Sequence, residues 1–394
     1  MERRPGTPSL LRELNDRAAL ELLLAGGPMT RAQLGEHTGL SKVTASQLLA
    51  RLEERGLVEV AGELAGGRGP NAALYGVVPS AAYVAGLHVE NDEVSAGVAD
   101  VTGHVVSEVS VDPNGGENPV ELVRGAVAAA CRPAGVSPDA LRALVIGTPG
   151  VLDPGTGEPR IAVNLPAWHE GVLDALRTDL GRPVTIENDV NLAAMAERVS
   201  GAADQVDDFV LVWIGVGLGL AITLGGRLHR GVGGAAGEIG YLPVPGVPLA
   251  RDAVGPLTGG FQSLIGASAV LPLAAGYGFA EQTAAAAVRA AVAAADGGDE
   301  RGGAFLAELA SRAATGVASI CVVLDPGLVV LGGSVGRAGG AALADRVAAE
   351  VGRICPARPR VVPTGVSGDP VLGGAILAAV DRARGELLAS VANS

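Results

Sequence analysis

Cysteine is nearly absent. Cys131, Cys321 and Cys355, in 394 residues, are scattered and odd in number, so neither a disulfide framework nor a spaced metal site is expected. A reduced, cytoplasmic chain is the expectation that follows. Aromatic residues make up only 3 %, whereas glycine (59 residues) and alanine abound, which fits an α/β protein with tight turns. Although 48 % of the residues are hydrophobic, no apolar run reads as long and clean enough to cross a bilayer. No apolar stretch follows Met1 to Pro5, so no secretory signal is expected either. Positive charge is short as well. The net charge of -13 argues against nonspecific nucleic-acid binding by the chain as a whole. Lysine occurs once, at Lys42.

The charge is unevenly distributed. Residues 1–80 hold nine Arg/Lys and nine Asp/Glu, so the remainder carries the whole deficit. A neutral N-terminal module on an acidic body can approach an anion. Leu14, Ala18, Leu20, Leu22 and Leu23 recur at helical spacing until Gly26-Gly-Pro28 stops the helix. Thr30 is placed to cap a short helix, Arg31 to His37, with Leu34 inward. Gly39-Leu40 makes a turn, and Ser41 caps a third helix, Lys42 to Arg55, with Val43, Leu48, Leu49 and Leu52 as its apolar stripe. Strand-like runs at 57–60 and 72–75 flank a glycine-rich loop. The order predicts a winged helix-turn-helix over residues 1–79. Ser41, Lys42, Thr44 and Gln47 would face phosphates and base edges in the major groove, with Arg51 a further candidate. Gly67-Arg68-Gly-Pro70 resembles the core of AT-hook peptides, so Arg68 is expected either in an A·T minor groove or in an ordinary wing turn.

Residues 80–394 are long enough for a two-lobed body. A β-branched run, Pro183 to Ile186, ends in Glu187-Asn-Asp189, and an apolar helical pattern begins at Leu192. That is a strand end, a polar turn and a helix start, the place where ligands sit in open α/β sheets. Asn188 can donate and accept hydrogen bonds and Asp189 can take a proton. Both suit a polyhydroxyl ligand, and both equally suit a helix cap. Further strand ends fall at Gly147-Thr-Pro-Gly150, Gly215-Val-Gly-Leu-Gly219 and Gly332-Gly-Ser334, with a hairpin turn at Gly225-Gly226. Ala-rich helices are expected over 280–316. His88, His104, His169 and His229 are read as structural or surface groups, and Trp168 as core.

Five motifs in order, Gly147-Thr-Pro-Gly150, Asn164-Leu-Pro-Ala-Trp168, Glu187-Asn-Asp189, Gly237-Glu-Ile-Gly240 and Asp325-Pro-Gly-Leu-Val-Val-Leu-Gly-Gly333, resemble the ROK family (repressors, open reading frames and kinases). The resemblance implies an α/β fold: an N-terminal winged helix-turn-helix plus a two-lobed actin-like ATPase/sugar kinase body. Lobe I would cover about 80–200 plus the C-terminal helix, and lobe II about 201–370. It implies that Asp189 occupies the position of a base for a sugar hydroxyl, and that Asn188 and Glu238 hold other hydroxyls. Asn164 and the Gly150 backbone would line the same cleft, and Gly215 to Gly219 and Gly332-Gly333 would face a nucleotide.

Two departures stand against these matches. Family kinases open the body with an Asp-x-Gly-Gly-Thr turn, and this chain has His88-Val-Glu-Asn-Asp92. Glu90 and Asn91 replace the two glycines that admit phosphates, Asp92 replaces the Thr, and His88 replaces the metal-positioning Asp, so two carboxylates would face a polyanion. Val216 also replaces a usual hydroxyl residue. Family members carry a His-Cys₃ zinc site, but here Tyr241 replaces the His and no cysteine lies between Pro243 and Gln262. No metal and no cofactor are therefore expected, with Tyr241 and Gln262 retained as hydrogen-bonding pocket residues. The expectation is a DNA-binding regulator, in the repressor sense, whose inactive kinase-like body senses a sugar or related small molecule and oligomerises as a dimer or tetramer. The alternatives are an active sugar kinase with an accessory DNA-binding domain, and a regulator that needs no ligand. A double-stranded operator and a small-molecule effector are the expected partners, with no membrane.

Overall fold

The computed structural model describes residues 8–65, 71–90, 93–113, 118–161, 171–250 and 257–391. The chain opens with α1 (Pro8–Gly26), the short β1 (Met29–Thr30), α2 (Arg31–Thr38) and α3 (Lys42–Glu54), followed by β2 (Val58–Leu64) and β3 (Ala72–Val77). The three strands form one sheet in the order β1-β3-β2, which is the wing. Local chemistry sets each boundary. Thr30 and Gln33 form a reciprocal capping box, Gly39 takes φ 70 to end α2, and the Ser41 hydroxyl accepts from the Thr44 amide at 3.2 Å.

Two residues assigned to the apolar stripes are on the other side. Val43 is 66 % exposed and Leu14 is 51 % exposed. The buried face of α3 is Ala45, Leu48, Leu49 and Leu52, and that of α1 is Asp16, Ala19, Leu20 and Leu23. At 100° per residue, Val43 and Leu14 each fall about 160° from the first residue of those faces, on the far side of the helix.

The body contains two five-stranded sheets with the same plan. Lobe I holds β4 (Tyr83–Val89), β5 (Val94–Asp100), β6 (Val105–Val111), α4 (Pro119–Ala134), β7 (Leu141–Thr148), a small hairpin of β8 (Val151–Leu152) and β9 (Pro159–Ile161), α5 (Val172–Leu180), β10 (Val184–Asn188) and α6 (Asp189–Ser200). Its sheet runs β10-β7-β4-β5-β6, with β4, β5 and β6 antiparallel and β7 and β10 parallel to β4. Lobe II holds β11 (Phe209–Ile214), β12 (Leu218–Leu224), β13 (Arg227–Leu228), α7 (Gln262–Ile265), α8 (Ala267–Gly276), α9 (Ala284–Asp296), α10 (Glu300–Leu324), β14 (Leu328–Gly332), α11 (Gly333–Ile354) and β15 (Arg360–Pro363). Its sheet repeats the plan as β13-β12-β11-β14-β15. Gly225 and Gly226, both at positive φ, turn β12 into β13 as the sequence suggests. The small β8–β9 hairpin left no comparable signal.

The C-terminal helix α12 (Pro370–Val391) returns to lobe I and packs across α6, β4 and β7. Its far end meets the winged helix. Val391 belongs to the same buried cluster as Leu20, Leu23 and Leu52, and a terminal nitrogen of Arg55 donates to the Ser390 carbonyl at 3.2 Å. One helix therefore joins the floor of the body to the winged-helix module. Cys131 and Cys321 are buried free thiols, and Cys355 is half-buried.

The expectation that no run could span a bilayer needs correction. Among the described residues α10 is long and apolar enough by length and composition. Its apolar character follows from packing, since Phe305, Leu309, Ala313 and Val317 are buried among α9, α11 and the lobe II sheet.

Candidate ligand cleft and nucleic-acid interface

Helix α3 presents one face to solvent and the opposite face to the core. Ser41, Lys42, Val43, Gln47 and Ala50 are exposed. The residues expected to meet DNA divide into two groups. Lys42 and Gln47 make no side-chain hydrogen bond or ion pair among the described residues. Ser41 and Thr44 cap the helix and share a hydroxyl–hydroxyl contact of 2.9 Å. Arg51 does not belong with them. Its Nε donates to Asp16 Oδ2 at 3.0 Å and a terminal nitrogen donates to the other oxygen. Asp16 is buried on α1, so Arg51 neutralises a carboxylate inside the module and ties α3 to α1. The hydrogen bond to Asp16 also holds the Arg51 guanidinium even more firmly protonated than usual. Arg51→Ala is expected to destabilise the module by about 2 kcal/mol, the range for hydrogen bonds to charged groups. Equal thermal midpoints for variant and parent would contradict that. Arg68 lies outside the described residues.

The cleft is built at the carboxyl ends of three adjacent strands. His88 pairs in register with Gly147, and Thr148 with Asn188, so β4, β7 and β10 deliver their ends together. Asn188 takes the helix-cap role, one of the two that the sequence left open, and its other amide atom is engaged as well. Its Oδ1 accepts from the Asn191 amide at 3.1 Å, capping α6, and its Nδ2 donates to the Gly150 carbonyl at 3.0 Å. Asn188 and Gly150 thus come together by bonding to each other. Thr148, in the same turn, is 2 % exposed, and its hydroxyl has no hydrogen-bond partner. Asn164 and Trp168 lie outside the described residues.

Charge in the cleft is mostly acidic. Burial drives the Asp189 carboxyl above its ordinary range, opposed by nearby His88 and by amide hydrogen bonds. From lobe II, Glu238 heads a single turn of 3-10 helix, Ile239–Tyr241, and burial together with the Asp189 charge raises its pKa to about 7. Folded Glu238 keeps its proton up to about pH 7, whereas an unfolded glutamate loses it near 4.5. In that window the folded state binds more protons, so stability falls as pH rises and the full cost is present above about pH 7. Glu238→Gln should abolish this slope. The difference in urea unfolding between about pH 5 and about pH 8 should shrink by on the order of 2 kcal/mol, and an unchanged slope would contradict the assignment.

His88 is buried, not superficial. Its Nδ1 lies 2.8 Å from Asp369 Oδ2, and its Nε2 lies 4.0 Å from Glu90. Burial opposes its charge, but the Asp369 hydrogen bond and the surrounding carboxylates outweigh burial and raise its pKa. Asp369 also caps α12, accepting from the Val371 amide at 2.9 Å and the Leu372 amide at 3.2 Å. The position where kinases hold a metal-positioning Asp is thus joined to the head of α12. With the Glu90 carboxylate beside it, this turn does not fit a metal-bound polyphosphate. Asn91 and Asp92 lie outside the described residues.

Gln262 needs a correction. Its Oε1 accepts from the Leu218 amide at 2.9 Å and its Nε2 donates to the Val216 carbonyl at 2.8 Å. The amide braces the 215–219 loop from within, so Gln262 is a strut and not a pocket residue. With Gln262 so engaged and no thiol between Pro243 and Gln262, the residues present do not fit a zinc ion of the His-Cys₃ kind. Tyr241 is half-buried beside this strut. One pair escaped sequence reasoning: Arg230 of lobe II donates twice to Glu187 Oε2 of lobe I, at 2.8 and 2.6 Å, and both line a cavity with Asp153, Asn188 and Asn191. Glu187 was visible as part of a motif, but nothing around Arg230 marked it.

Two sheets of the same strand order, a cleft at the strand ends and a winged helix docked on the C-terminal helix define the class: a two-lobed, sugar-kinase-like body with a winged-helix module. The chain belongs to the ROK family, whose profile matches residues 84–379, and a MarR family profile matches residues 14–69. It is 26 % identical over 244 residues to a xylose repressor of Caldicellulosiruptor bescii, covering 61 % of each chain. It is 24 % identical over 241 residues to the DNA-binding transcriptional dual regulator NagC of Escherichia coli, covering 61 % of this chain and 59 % of that one. The chain therefore spans about three fifths of the length of these relatives. Among solved structures, a ROK family transcriptional regulator described as a homologue of the E. coli MLC protein superposes with a TM-score of 0.72 at 17 % identity, over 98 % of this chain and all of that one. A ROK hexokinase from Thermus thermophilus gives 0.62 at 29 % identity, over 77 % of this chain and 99 % of that one.

Proposed function

We propose that this protein is a transcriptional regulator, acting as a repressor, whose kinase-like body binds a sugar or a related polyhydroxyl compound without phosphorylating it. The observation that carries the reading is His88. The turn that would receive phosphate is instead bonded to Asp369 at the head of α12, and the other end of α12 holds the winged helix. The relatives named as a xylose repressor and as a transcriptional dual regulator support the regulatory sense. Asn188, Asp189 and Glu238 collect at the cleft, and the unpartnered Thr148 hydroxyl at the same strand ends is a group that a polyhydroxyl ligand would pair with.

Ligand bound between the lobes would favour one closure state. The Glu187–Arg230 pair crosses between lobes and would shift with it, and α12 would carry the change to the winged helix. Such coupling acts only through different affinities for the two states. A dimer would place two winged helices on a palindromic operator.

Fluorescence anisotropy on DNA from upstream of the protein's own gene tests this, repeated with a panel of sugars, sugar phosphates and amino sugars. Saturable binding altered by one compound is the expected result. Tight binding indifferent to every compound would favour a regulator that needs no ligand. The purified protein is also expected to show no ATP-dependent sugar phosphorylation, and robust turnover would overturn the non-catalytic reading.

A further inference from the structure

Val43 stands on the solvent face of α3 beside Lys42 and Gln47, whose side chains make no hydrogen bond or ion pair among the described residues. It is 66 % exposed and occupies the second position of the helix, behind the Ser41 cap. Gln47 follows one turn later on the same face, and Ala50 after it, both exposed. The remaining polar side chains of this turn are engaged by the helix itself. The Ser46 hydroxyl donates to the Lys42 carbonyl at 2.8 Å, and Ser41 and Thr44 bond to each other. What the N-terminal half of α3 offers outward is therefore one branched apolar group, one unengaged carboxamide and one ammonium, from Lys42.

We propose that Val43 is a base-reading residue: its methyl groups pack against the C5-methyl of a thymine in the major groove, while the Gln47 amide reads an adenine within one helical turn of it. The inference rests on the regulator reading and makes it more specific. The first two turns of the second helix in a helix-turn-helix are the part that enters the groove. In that groove thymine is the one base with a methyl group, and adenine offers the acceptor–donor pair that a carboxamide matches. A β-branched side chain gains nothing for helix stability at an exposed position, because it lowers helix propensity. Lys42, next in sequence and free of any ion pair among the described residues, would take a backbone phosphate and set the depth of insertion. The proposal commits to an A·T-containing half-site, with thymine at the position under Val43.

The experiment uses the full-length protein and a pool of randomised duplexes. Preferred sites are selected, and each thymine of the selected half-site is replaced singly by deoxyuridine, which removes only the methyl group. One replacement is expected to weaken binding about fourfold, the effect of exposing one buried methyl group. Val43→Ala is expected to bind the thymine site about fourfold more weakly and to be indifferent to deoxyuridine at that position. Gln47→Ala should keep the deoxyuridine sensitivity while losing preference for adenine. Parent protein indifferent to deoxyuridine at every position, or Val43→Ala that keeps the parent's sensitivity, would overturn the assignment while leaving the regulator reading intact. Failure to select any preferred site would overturn both.

Discussion

Glu197→Ala is expected to lower the free energy of unfolding by about 4 kcal/mol. Glu197 is 1 % exposed, near the end of α6. One carboxylate oxygen accepts from the Ala202 amide at 2.7 Å and the Gly365 amide at 3.1 Å, and the other accepts from the Thr364 hydroxyl. Removing the carboxylate leaves two buried amides and a hydroxyl without an acceptor, each worth about 1–3 kcal/mol when orphaned. The position gives the loss a functional consequence. Residues 364–369 carry the chain out of β15 and into α12, so Glu197 pins the segment that connects lobe II to the helix beneath the winged helix. Glu197→Gln keeps the shape but offers one acceptor oxygen in place of two, and it should lose roughly half as much. Urea unfolding of the three proteins checks the order. An alanine variant as stable as the parent would show that the amides find other partners.

Gly374→Ala should be destabilising by about 3 kcal/mol, against the usual sign for such a change. In an open helix position, replacing glycine by alanine gains about 1 kcal/mol. Here an added Cβ would lie 1.9 Å from the Leu192 carbonyl oxygen and 2.4 Å from its carbon. Those are backbone atoms of α6, which cannot rotate away as a side chain can. The two helices cross at this point, and a methyl group would force them apart along the buried seam that includes Leu372, Ala375 and Ile376. Thermal unfolding would show a midpoint several degrees lower for the variant. Gly385, on the same helix, has nothing within 4 Å of its added Cβ, and Gly385→Ala serves as the control, expected to be neutral or stabilising. Equal behaviour of the two variants would contradict the close crossing.

Both effects concern α12, and the same helix separates what could be read along the chain from what could not. The winged helix was legible because its signals act over a few residues. The Thr30 and Ser41 caps, the Gly39 turn and the leucine spacing of α3 each fix a backbone conformation locally. The strand ends of the cleft were legible for the same reason, since a β-branched run ending in Glu187-Asn-Asp189 stops a strand and starts a helix wherever the lobe lies. Even the misplacement of Val43 and Leu14 was avoidable, because the angle from the central leucines already sets them on the outer face.

Partner choice was not legible. Arg51 finds Asp16 across 35 residues, Arg230 finds Glu187 across 43, and His88 finds Asp369 across 281. Gln262, placed in the pocket by its position in a motif, is taken instead by the backbone of a loop 44 residues earlier. Local sequence sets which groups a segment presents and whether a helix or a strand presents them. Which charge is then buried beside which depends on how helices and lobes pack, because a carboxylate removed from water is stable only against the donors that packing brings to it.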